Sequence, residues 1–244
     1  MPYTFRKDKS PGLKNKTTGI LLVLFAIALL AELSAIYLNH GTLRYFTKPV
    51  LMPLLAAWYL AEQHQSGRRR SSAIPAALFF SWLGDLFLLF DNRMPLFFVF
   101  GLLSFLTAHI IYLFYFNRLR VNPDRFFRFL WLLPVAVYYF FFMELLGTGP
   151  GDLLWPVRIY GITICLMLFT AVRLPRGHRD TGGLKMLAGA LLFVVSDSLL
   201  AIDKFHRHFE PAAGLIMLTY GMAQLLIVTG AAQKHLNLPI QKSL

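Results

Sequence analysis

Long apolar stretches, separated by short polar and basic segments, run along the chain from residue 18 to residue 233. A helix needs about 20 predominantly apolar residues to cross a bilayer. Eight segments approach that length, although the second is short: residues 18–38, 49–62, 74–90, 95–116, 129–146, 157–173, 184–202 and 212–233. The pattern predicts an all-α fold, a polytopic membrane helix bundle with about eight transmembrane helices.

The overall composition agrees with this prediction. Hydrophobic residues make up 57% of the 244 residues, and the mean hydropathy is +0.56, whereas a soluble domain is about 45–50% apolar. We expect a single transmembrane domain over residues 18–234. A basic N-terminal tail, residues 1–17, precedes it, and a short C-terminal tail, residues 235–244, follows it.

The basic residues are distributed unequally between the two sides of the predicted membrane. The chain has 24 Lys and Arg residues, and alternating the loops leaves six of them on one side: Arg44, Lys48, Arg93, Arg158, Lys204 and Arg207. The other 18 lie on the opposite side, which the positive-inside rule assigns to the cytoplasm. Both termini are therefore predicted to be cytoplasmic, in the inner membrane if the source is bacterial. The basic clusters can also contact anionic lipids, so the net charge of +12 does not indicate nucleic-acid binding.

Two aspartates, Asp85 and Asp197, lie inside apolar runs of the third and seventh segments. An ionisable side chain within a bilayer is costly unless it faces a cavity or a partner, so both are functional candidates. The two helices are predicted to run in the same direction, and each aspartate lies six residues short of the outer loop, about 9 Å along the axis. We therefore expect both at one depth. If they share a cavity, one serves as acid and the other as base.

The two halves of the chain also share a spacing. Lys48 precedes Asp85 by 37 residues, and Arg158 precedes Asp197 by 39. The chain is either a duplication into two parallel four-helix repeats, or the match is a coincidence.

The predicted starts of helices 2 and 6 place a cation beside a proline, in Lys48-Pro49 and in Pro156-Val157-Arg158. Proline suits the first helical turn, and the N-terminus of a helix attracts phosphate. We expect Lys48 and Arg158 to bind the phosphate of a lipid.

A few other polar residues fall within the apolar segments. His109 and Tyr112 are three residues apart, and Tyr220 and Gln224 are four apart, so each pair shares one helix face. They either line the site or connect helices by hydrogen bonds. Glu32, near the end of its helix, is expected to reach water.

Several short motifs point to a known family when they are taken together. They are Thr47-Lys48-Pro49-Val50-Leu51-Met52-Pro53, Ser81-Trp82-Leu83-Gly84-Asp85, Ala108-His109-Ile110-Ile111-Tyr112, Arg158-Ile159-Tyr160, Ser196-Asp197-Ser198-Leu199-Leu200-Ala201 with Lys204-Phe205, and the stretch from Tyr220 to Gln224. In this order they resemble the YhhN family, whose characterised members are lysoplasmalogenases.

The resemblance implies hydrolysis of the vinyl-ether bond of a lysoplasmalogen, giving a fatty aldehyde and a glycerophospho-alcohol. It places Asp85 and Asp197 at the two acidic positions of the family. It also implies a set of polar substrate-binding residues, to which we add the expected phosphate and hydroxyl contacts: Lys48, His109, Tyr112, Arg158, Tyr160, Tyr220 and Gln224.

The residues suit this chemistry, because a carboxylic acid can protonate the vinyl ether and a carboxylate can activate water. We expect no metal or organic cofactor to be required, and a lysophospholipid and membrane lipids as partners. The sequence does not assign which aspartate is the acid, and the oligomeric state stays open. A proton-coupled carrier and a noncatalytic lipid-binding protein are the alternatives, since buried acids also occur in transporters.

Overall fold

The computed structural model describes residues 16–66, 71–91, 93–119, 125–175 and 180–236. Within these ranges the chain forms eight α-helices and no strands. They are α1 (Lys16–Tyr37), α2 (Gly41–Ser66), α3 (Ala73–Leu89), α4 (Pro95–Leu119), α5 (Arg125–Leu146), α6 (Leu154–Ala171), α7 (Thr181–Ala201) and α8 (Ala212–Leu236). A 3-10 turn, Gly151–Leu153, precedes α6, and a π turn, Ile202–His206, follows α7.

Each predicted apolar segment corresponds to one of these helices, so the all-α prediction is confirmed. In the described part of the chain, five segments are long and apolar enough to cross a bilayer: Lys16–Tyr37, Pro95–Leu119, Gly151–Ala171, Thr181–His206 and Ala212–Lys234. Two further apolar helices, Ala73–Leu89 and Leu130–Leu146, are shorter. The chain is thus an integral membrane protein with five candidate spans, and the crossing by all eight helices stays a prediction.

The start of α2 differs from the prediction. This helix begins at Gly41, eight residues before the predicted start at residue 49, so Lys48 and Pro49 lie two turns inside it. The apolar pattern begins at residue 49, but Arg44 and Thr47 extend the helix by bonding to Glu32 of α1. The expectation of a phosphate site at Lys48 at a helix N-terminus was therefore wrong.

Six helices form a closed ring in the order α2, α3, α4, α6, α7, α8, each packed against the next and α8 against α2. Outside this ring, α1 packs against α2 and α8, and α5 packs against α6. Helices α3 and α7 consequently lie on opposite sides of the ring, as do α2 and α6. Two parallel four-helix repeats would give this neighbour pattern, because α8 on α2 corresponds to α4 on α6; the duplication itself stays a prediction.

Small residues allow the hairpin partners to approach closely. A Cβ atom on Gly189 of α7 would lie 2.7 Å from the carbonyl oxygen of Ala223 in α8. A Cβ atom on Gly84 of α3 would lie 2.6 Å from the ring of Phe105 in α4. Such contacts replace the hydrophobic effect as the basis of helix association in lipid, and they fix α3 against α4 and α7 against α8.

At the start of α7, the carboxyl group of Asp180 bonds to both α7 and α8. Asp180 Oδ1 accepts a hydrogen bond of 3.0 Å from the backbone nitrogen of Gly183, which caps α7. Asp180 also pairs with the buried Lys234 of α8, whose Nζ donates to the carbonyl oxygen of Leu174 at 2.8 Å. This cluster joins α7 and α8 at the end opposite Asp197.

The outward faces of the helices carry large apolar side chains. In α1, Ile20, Val23, Ile27 and Leu30 are each more than half exposed, and α5 exposes Leu133, Phe140 and Phe141 in the same way. Apolar surface on this scale is rare in a soluble monomer and suits contact with lipid.

The predicted tails, residues 1–17 and 235–244, fall almost wholly outside the described residues. Many of the basic residues between helices, at 67–70, 120–124 and 176–179, do so as well. The cytoplasmic placement of both termini stays a prediction.

Candidate active site

Asp197 is held by residues of two neighbouring helices. The hydroxyl of Tyr160 in α6 donates a hydrogen bond of 2.6 Å to Asp197 Oδ2, and His109 Nε2 in α4 lies 3.6 Å from the same oxygen. The Asp197 side chain is 15% exposed, whereas His109 is buried. In the described part of the chain, Asp197 Oδ1 and His109 Nε2 have no hydrogen-bond partner. Asp197 Oδ1 can therefore engage a ligand, and a buried water can satisfy His109 Nε2.

Two clefts meet at Asp197. The α5 cleft lies between α5, α6 and α7 and is open to the side, so its volume of about 380 Å³ includes space outside the protein surface. Its walls are Tyr138, Tyr139, Phe142, Met143, Val157, Tyr160, Gly161, Ile164, Cys165, Val194, Asp197, Ser198 and Ala201. The α4 cleft has a volume of about 420 Å³, which likewise includes open space, and is lined by Leu88, Phe98, Leu102, Phe105, Val157, Tyr160, Asp197, Leu200, Ala201 and Phe205. Asp197 is the acidic residue in both walls.

Asp85 has a different environment. Its Oδ2 accepts a hydrogen bond of 2.8 Å from the Tyr220 hydroxyl of α8, and its Oδ1 lies 3.6 Å from Lys48 Nζ of α2. The Asp85 side chain is 3% exposed, and Asp85 is absent from the described walls of the α5 and α4 clefts. Both of its oxygens are occupied, and the group is sealed from the surface.

The contacts that connect the two aspartates run through aromatic rings. The ring of Phe193 in α7 lies 5.5 Å from that of Tyr220, which holds Asp85, and 4.5 Å from that of His109, which lies beside Asp197. Phe193 is fully buried. The condition for an acid–base pair, one cavity for both carboxyl groups, is not met in the two clefts, because α3 and α7 lie across the ring and aromatic side chains pack between the two centres.

The two aspartates occupy the same position relative to the ends of their helices, and their common depth in the membrane stays a prediction. Each lies four residues before the last residue of its α-helix. A numbering offset of 112 relates Asp85 to Asp197 and Lys48 to Tyr160, so the spacing of 37 residues recurs. The counterpart of Lys48 is therefore Tyr160 rather than Arg158.

Tyr112 and Gln224 connect helices instead of lining a cleft. The Tyr112 hydroxyl donates to Gln224 Oε1 at 2.7 Å, and Gln224 Nε2 donates to Ser81 Oγ at 2.9 Å. All three side chains are fully buried, and the bonds join α4, α8 and α3 across the middle of the ring. Of the two interpretations left open by the sequence, the structure supports interhelical hydrogen bonding.

The two predicted phosphate ligands are not brought together. Arg158 lies at the start of α6 with its guanidinium carbon 5.3 Å from the ring centroid of Trp155, next to Val157 in both cleft walls. Lys48 belongs to α2, on the opposite side of the ring, and pairs with Asp85.

Glu32 is completely buried rather than near water. Arg44 Nε donates to Glu32 Oε1 at 3.0 Å, and the Thr47 hydroxyl donates to Oε2 at 2.5 Å. The prediction depended on the position of Glu32 near the end of α1, and it failed because the first two turns of α2 cover this end of α1.

Sequence reasoning missed most of the cleft walls. Tyr138 and Ser198, whose hydroxyl oxygens lie 2.5 Å apart, connect α5 to α7, and Phe205 lines the α4 cleft. Lys204 Nζ pairs with Asp91 Oδ2 at 3.0 Å and lies 4.9 Å from the ring centroid of Phe98. Asp91 and Asp203, which follow Asp85 and Asp197 by six residues each, were the available signal for this end of the site.

The described residues contain no group of three or more His, Cys, Asp or Glu side chains placed to hold a metal ion. The groups at the site are instead a carboxyl, a phenol and an imidazole.

Comparison with known proteins identifies the family. A protein named lysoplasmalogenase TMEM86B from Sus scrofa is 30% identical over 182 residues, which cover 75% of this chain and 73% of that protein. Lysoplasmalogenase TMEM86B from Homo sapiens is 34% identical over 70% of this chain and 66% of its own. A lysoplasmalogenase from Mycobacterium tuberculosis (strain CDC 1551 / Oshkosh) is 31% identical over 79% and 71%. No solved structure matches this chain. The profile of the YhhN family matches residues 43–231, which include every residue of both aspartate centres, and the chain belongs to the YhhN family.

Proposed function

We propose that this protein is a membrane hydrolase that cleaves the vinyl-ether bond of lysoplasmalogens, with Asp197 as the carboxyl group that contacts the substrate. The relatives named lysoplasmalogenase support the reaction. The observation that carries the site is the position of Asp197, which borders two apolar clefts with one oxygen held by Tyr160 and the other unpartnered in the described structure.

The first step transfers a proton to carbon. Asp197 in its protonated form donates its proton to the alkenyl carbon that is not bonded to oxygen, and the carbon–carbon double bond supplies the electron pair. The adjacent carbon and the ether oxygen become an oxocarbenium ion, beside a carboxylate that balances its charge. Tyr160 fixes Oδ2 through its 2.6 Å hydrogen bond, so Oδ1 is directed to the substrate.

The second step returns the proton. Water attacks the oxocarbenium carbon and gives up a proton to Asp197, forming a hemiacetal. The carbon–oxygen bond to glycerol then breaks while the hemiacetal hydroxyl loses its proton and the glycerol oxygen gains one, which gives an aldehyde and an alcohol. One carboxyl group thus acts first as acid and then as base, as in retaining glycosidases. His109 Nε2, 3.6 Å from Asp197 Oδ2, is placed to hold this water.

We reassign Asp85 from acid–base chemistry to positioning. Asp85 and Lys48 do not line either cleft. Asp85 fixes the Tyr220 hydroxyl by a hydrogen bond, the Tyr220 ring packs against Phe193, and Phe193 packs against His109. Asp85 therefore acts on His109 only through these contacts. Of the two predicted phosphate ligands, Arg158 is the one near the clefts, because it follows Val157, which lines both of them.

Membrane lipids surround the protein in this proposal, and cytoplasmic termini would place Asp197 toward the outer face. The carrier alternative is not favoured, because the names of the relatives describe an enzyme.

The test uses the purified full chain in lipid nanodiscs with an alkenyl lysophospholipid and its saturated alkyl analogue. Free aldehyde is expected from the alkenyl lipid alone. Asp197→Asn keeps an acceptor for Tyr160 but cannot transfer the proton, so turnover is expected to fall about 10²-fold or more.

Asp152→Asn makes the same change at an exposed carboxyl in the 3-10 turn and should leave turnover unchanged. Release of aldehyde from neither lipid would overturn the reaction, and near-normal turnover by Asp197→Asn would overturn the assignment of Asp197.

A further inference from the structure

We propose that the two clefts form one bent track for a single lysolipid, with the hydrocarbon chain in the α5 cleft and the glycerophosphate end in the α4 cleft. This inference rests on the proposed function, because it places the scissile vinyl ether at Asp197, where the two clefts meet.

The clefts adjoin one another along a shared wall. Val157, Tyr160, Asp197 and Ala201 line both. A lysolipid has one chain on one side of its vinyl ether and the glycerol on the other. A substrate whose vinyl ether contacts Asp197 therefore extends into both clefts.

The α4 cleft lies at the polar end of the helices. Leu88 is next to the last residue of α3, Phe98 is in the first turn of α4, and Phe205 is in the π turn after α7. The Lys204 ammonium group lies against the ring of Phe98 and pairs with Asp91 just beyond this cleft. The side chains of Lys204 and Asp91 are partly exposed. A phosphate at this end meets a cation and water, as a headgroup requires.

The α5 cleft runs away from that end. Its wall follows α6 from Val157 to Cys165, eight residues or about 12 Å along the helix axis. The wall on the α5 side, Tyr139, Phe142 and Met143, is half-buried, so the cleft is open toward lipid and a chain can enter from the side.

The polar atoms in the α5 cleft are already paired, apart from those at Asp197. The Tyr138 and Ser198 hydroxyl oxygens bond to one another, and the Tyr139 hydroxyl donates to the carbonyl oxygen of Arg158 at 3.5 Å. A hydrocarbon chain therefore leaves no hydroxyl group without a hydrogen bond in this wall.

Photo-crosslinking tests the orientation without requiring turnover. An alkyl lysophospholipid, which has no vinyl ether to cleave, carries a diazirine in the middle of its chain, and mass spectrometry locates the adducts on the full chain in nanodiscs. We expect adducts on Phe142, Met143 or Cys165, reduced at least fivefold by excess unlabelled lipid. Adducts concentrated on Phe98 or Leu102, or spread over the exposed face of α1, would overturn the proposal.

A pair of substitutions provides a second measurement. A Cβ atom on Gly161 would lie 3.1 Å from Tyr139 and 3.2 Å from Met143, so Gly161→Leu fills the α5 cleft, and Cys165→Phe narrows its far end. Both are expected to raise KM for a long-chain alkenyl lipid at least tenfold, with much less effect on a short-chain one. The matched control is Gly19→Leu in α1, where nothing lies within 4 Å of the added Cβ.

The outcomes separate the two proposals. Unchanged KM for the long-chain lipid in both Gly161→Leu and Cys165→Phe overturns the track even if aldehyde is formed. Adducts in the α5 cleft without aldehyde from any alkenyl lipid support the track and overturn the proposed reaction.

Discussion

Lys48 Nζ lies 3.6 Å from Asp85 Oδ1 inside the helix ring, with both side chains at most one-tenth exposed. A buried ion pair contributes little net stability relative to an apolar replacement, but removal of one partner leaves an uncompensated charge and costs about 3–5 kcal/mol. The ion pair therefore holds α2 against α3 only while both residues are present, and either residue alone would be a buried, unpaired charge.

We predict that Lys48→Met lowers thermal stability in detergent more than the double variant Lys48→Met with Asp85→Asn does. The double variant removes both charges and keeps an acceptor for Tyr220. Unfolding midpoints of wild type, both single variants and the double variant complete the cycle. If the effects of the single variants simply add, Lys48 and Asp85 do not interact as the structure indicates.

Tyr160→Phe is expected to lower kcat by about 10- to 100-fold. The change removes the hydrogen bond to Asp197 Oδ2, and a hydrogen bond to a charged group contributes about 1.5–3 kcal/mol, which converts to a rate factor of this size. Initial rates of aldehyde release from an alkenyl lysolipid measure the effect.

Tyr112→Phe provides the matched comparison. It makes the same change at the Tyr112–Gln224 bond, away from both clefts, so we expect about 1 kcal/mol lower stability with kcat nearly unchanged. A loss of kcat as large in Tyr112→Phe as in Tyr160→Phe would contradict the separation of structural and substrate-contacting tyrosines.

Asp180→Ala is expected to destabilise the protein by about 3–5 kcal/mol, chiefly because Lys234 loses its buried ion-pair partner. The loss of the α7 cap contributes to the same effect. Thermal unfolding in detergent measures the change. Asp152→Ala removes an exposed carboxyl and serves as the control; equal stability of the two variants would show that the cluster does not join α7 to α8.

Gly189→Ala is expected to cost about 1–3 kcal/mol, because its Cβ would lie 2.7 Å from the carbonyl oxygen of Ala223 and the two helices must separate. Gly19→Ala adds a methyl group where nothing lies within 4 Å and should not destabilise. The difference between their unfolding midpoints is the measurement. Equal midpoints would argue against a close α7–α8 contact.

Apolar segment lengths predicted all eight helices because length and hydropathy are local properties of the sequence. The partners of the aspartates were also identifiable, since few polar residues occur within the apolar segments and Lys48, His109, Tyr160 and Tyr220 are among them. The start of α2 was missed because Arg44 and Thr47 are polar, and their partner, Glu32, belongs to another helix.

The separation of the two centres could not be predicted from the sequence. It depends on the order of helices around the ring, which places α3 and α7 opposite one another. It also depends on Phe193, which is one of 23 phenylalanines and carries no local sign that it packs between Tyr220 and His109. A polar residue within an apolar segment is easily recognised in a sequence, whereas an apolar residue that separates two sites looks like any other residue of the segment.

The branching of the clefts at Asp197 has a further consequence for the proposed reaction. A fatty aldehyde formed in the α5 cleft faces hydrocarbon, whereas the glycerophospho-alcohol formed in the α4 cleft faces the aqueous side. The aldehyde would leave into the bilayer and the glycerophospho-alcohol into water, so the release of one product would not depend on the release of the other. Their separation would also oppose the reverse reaction.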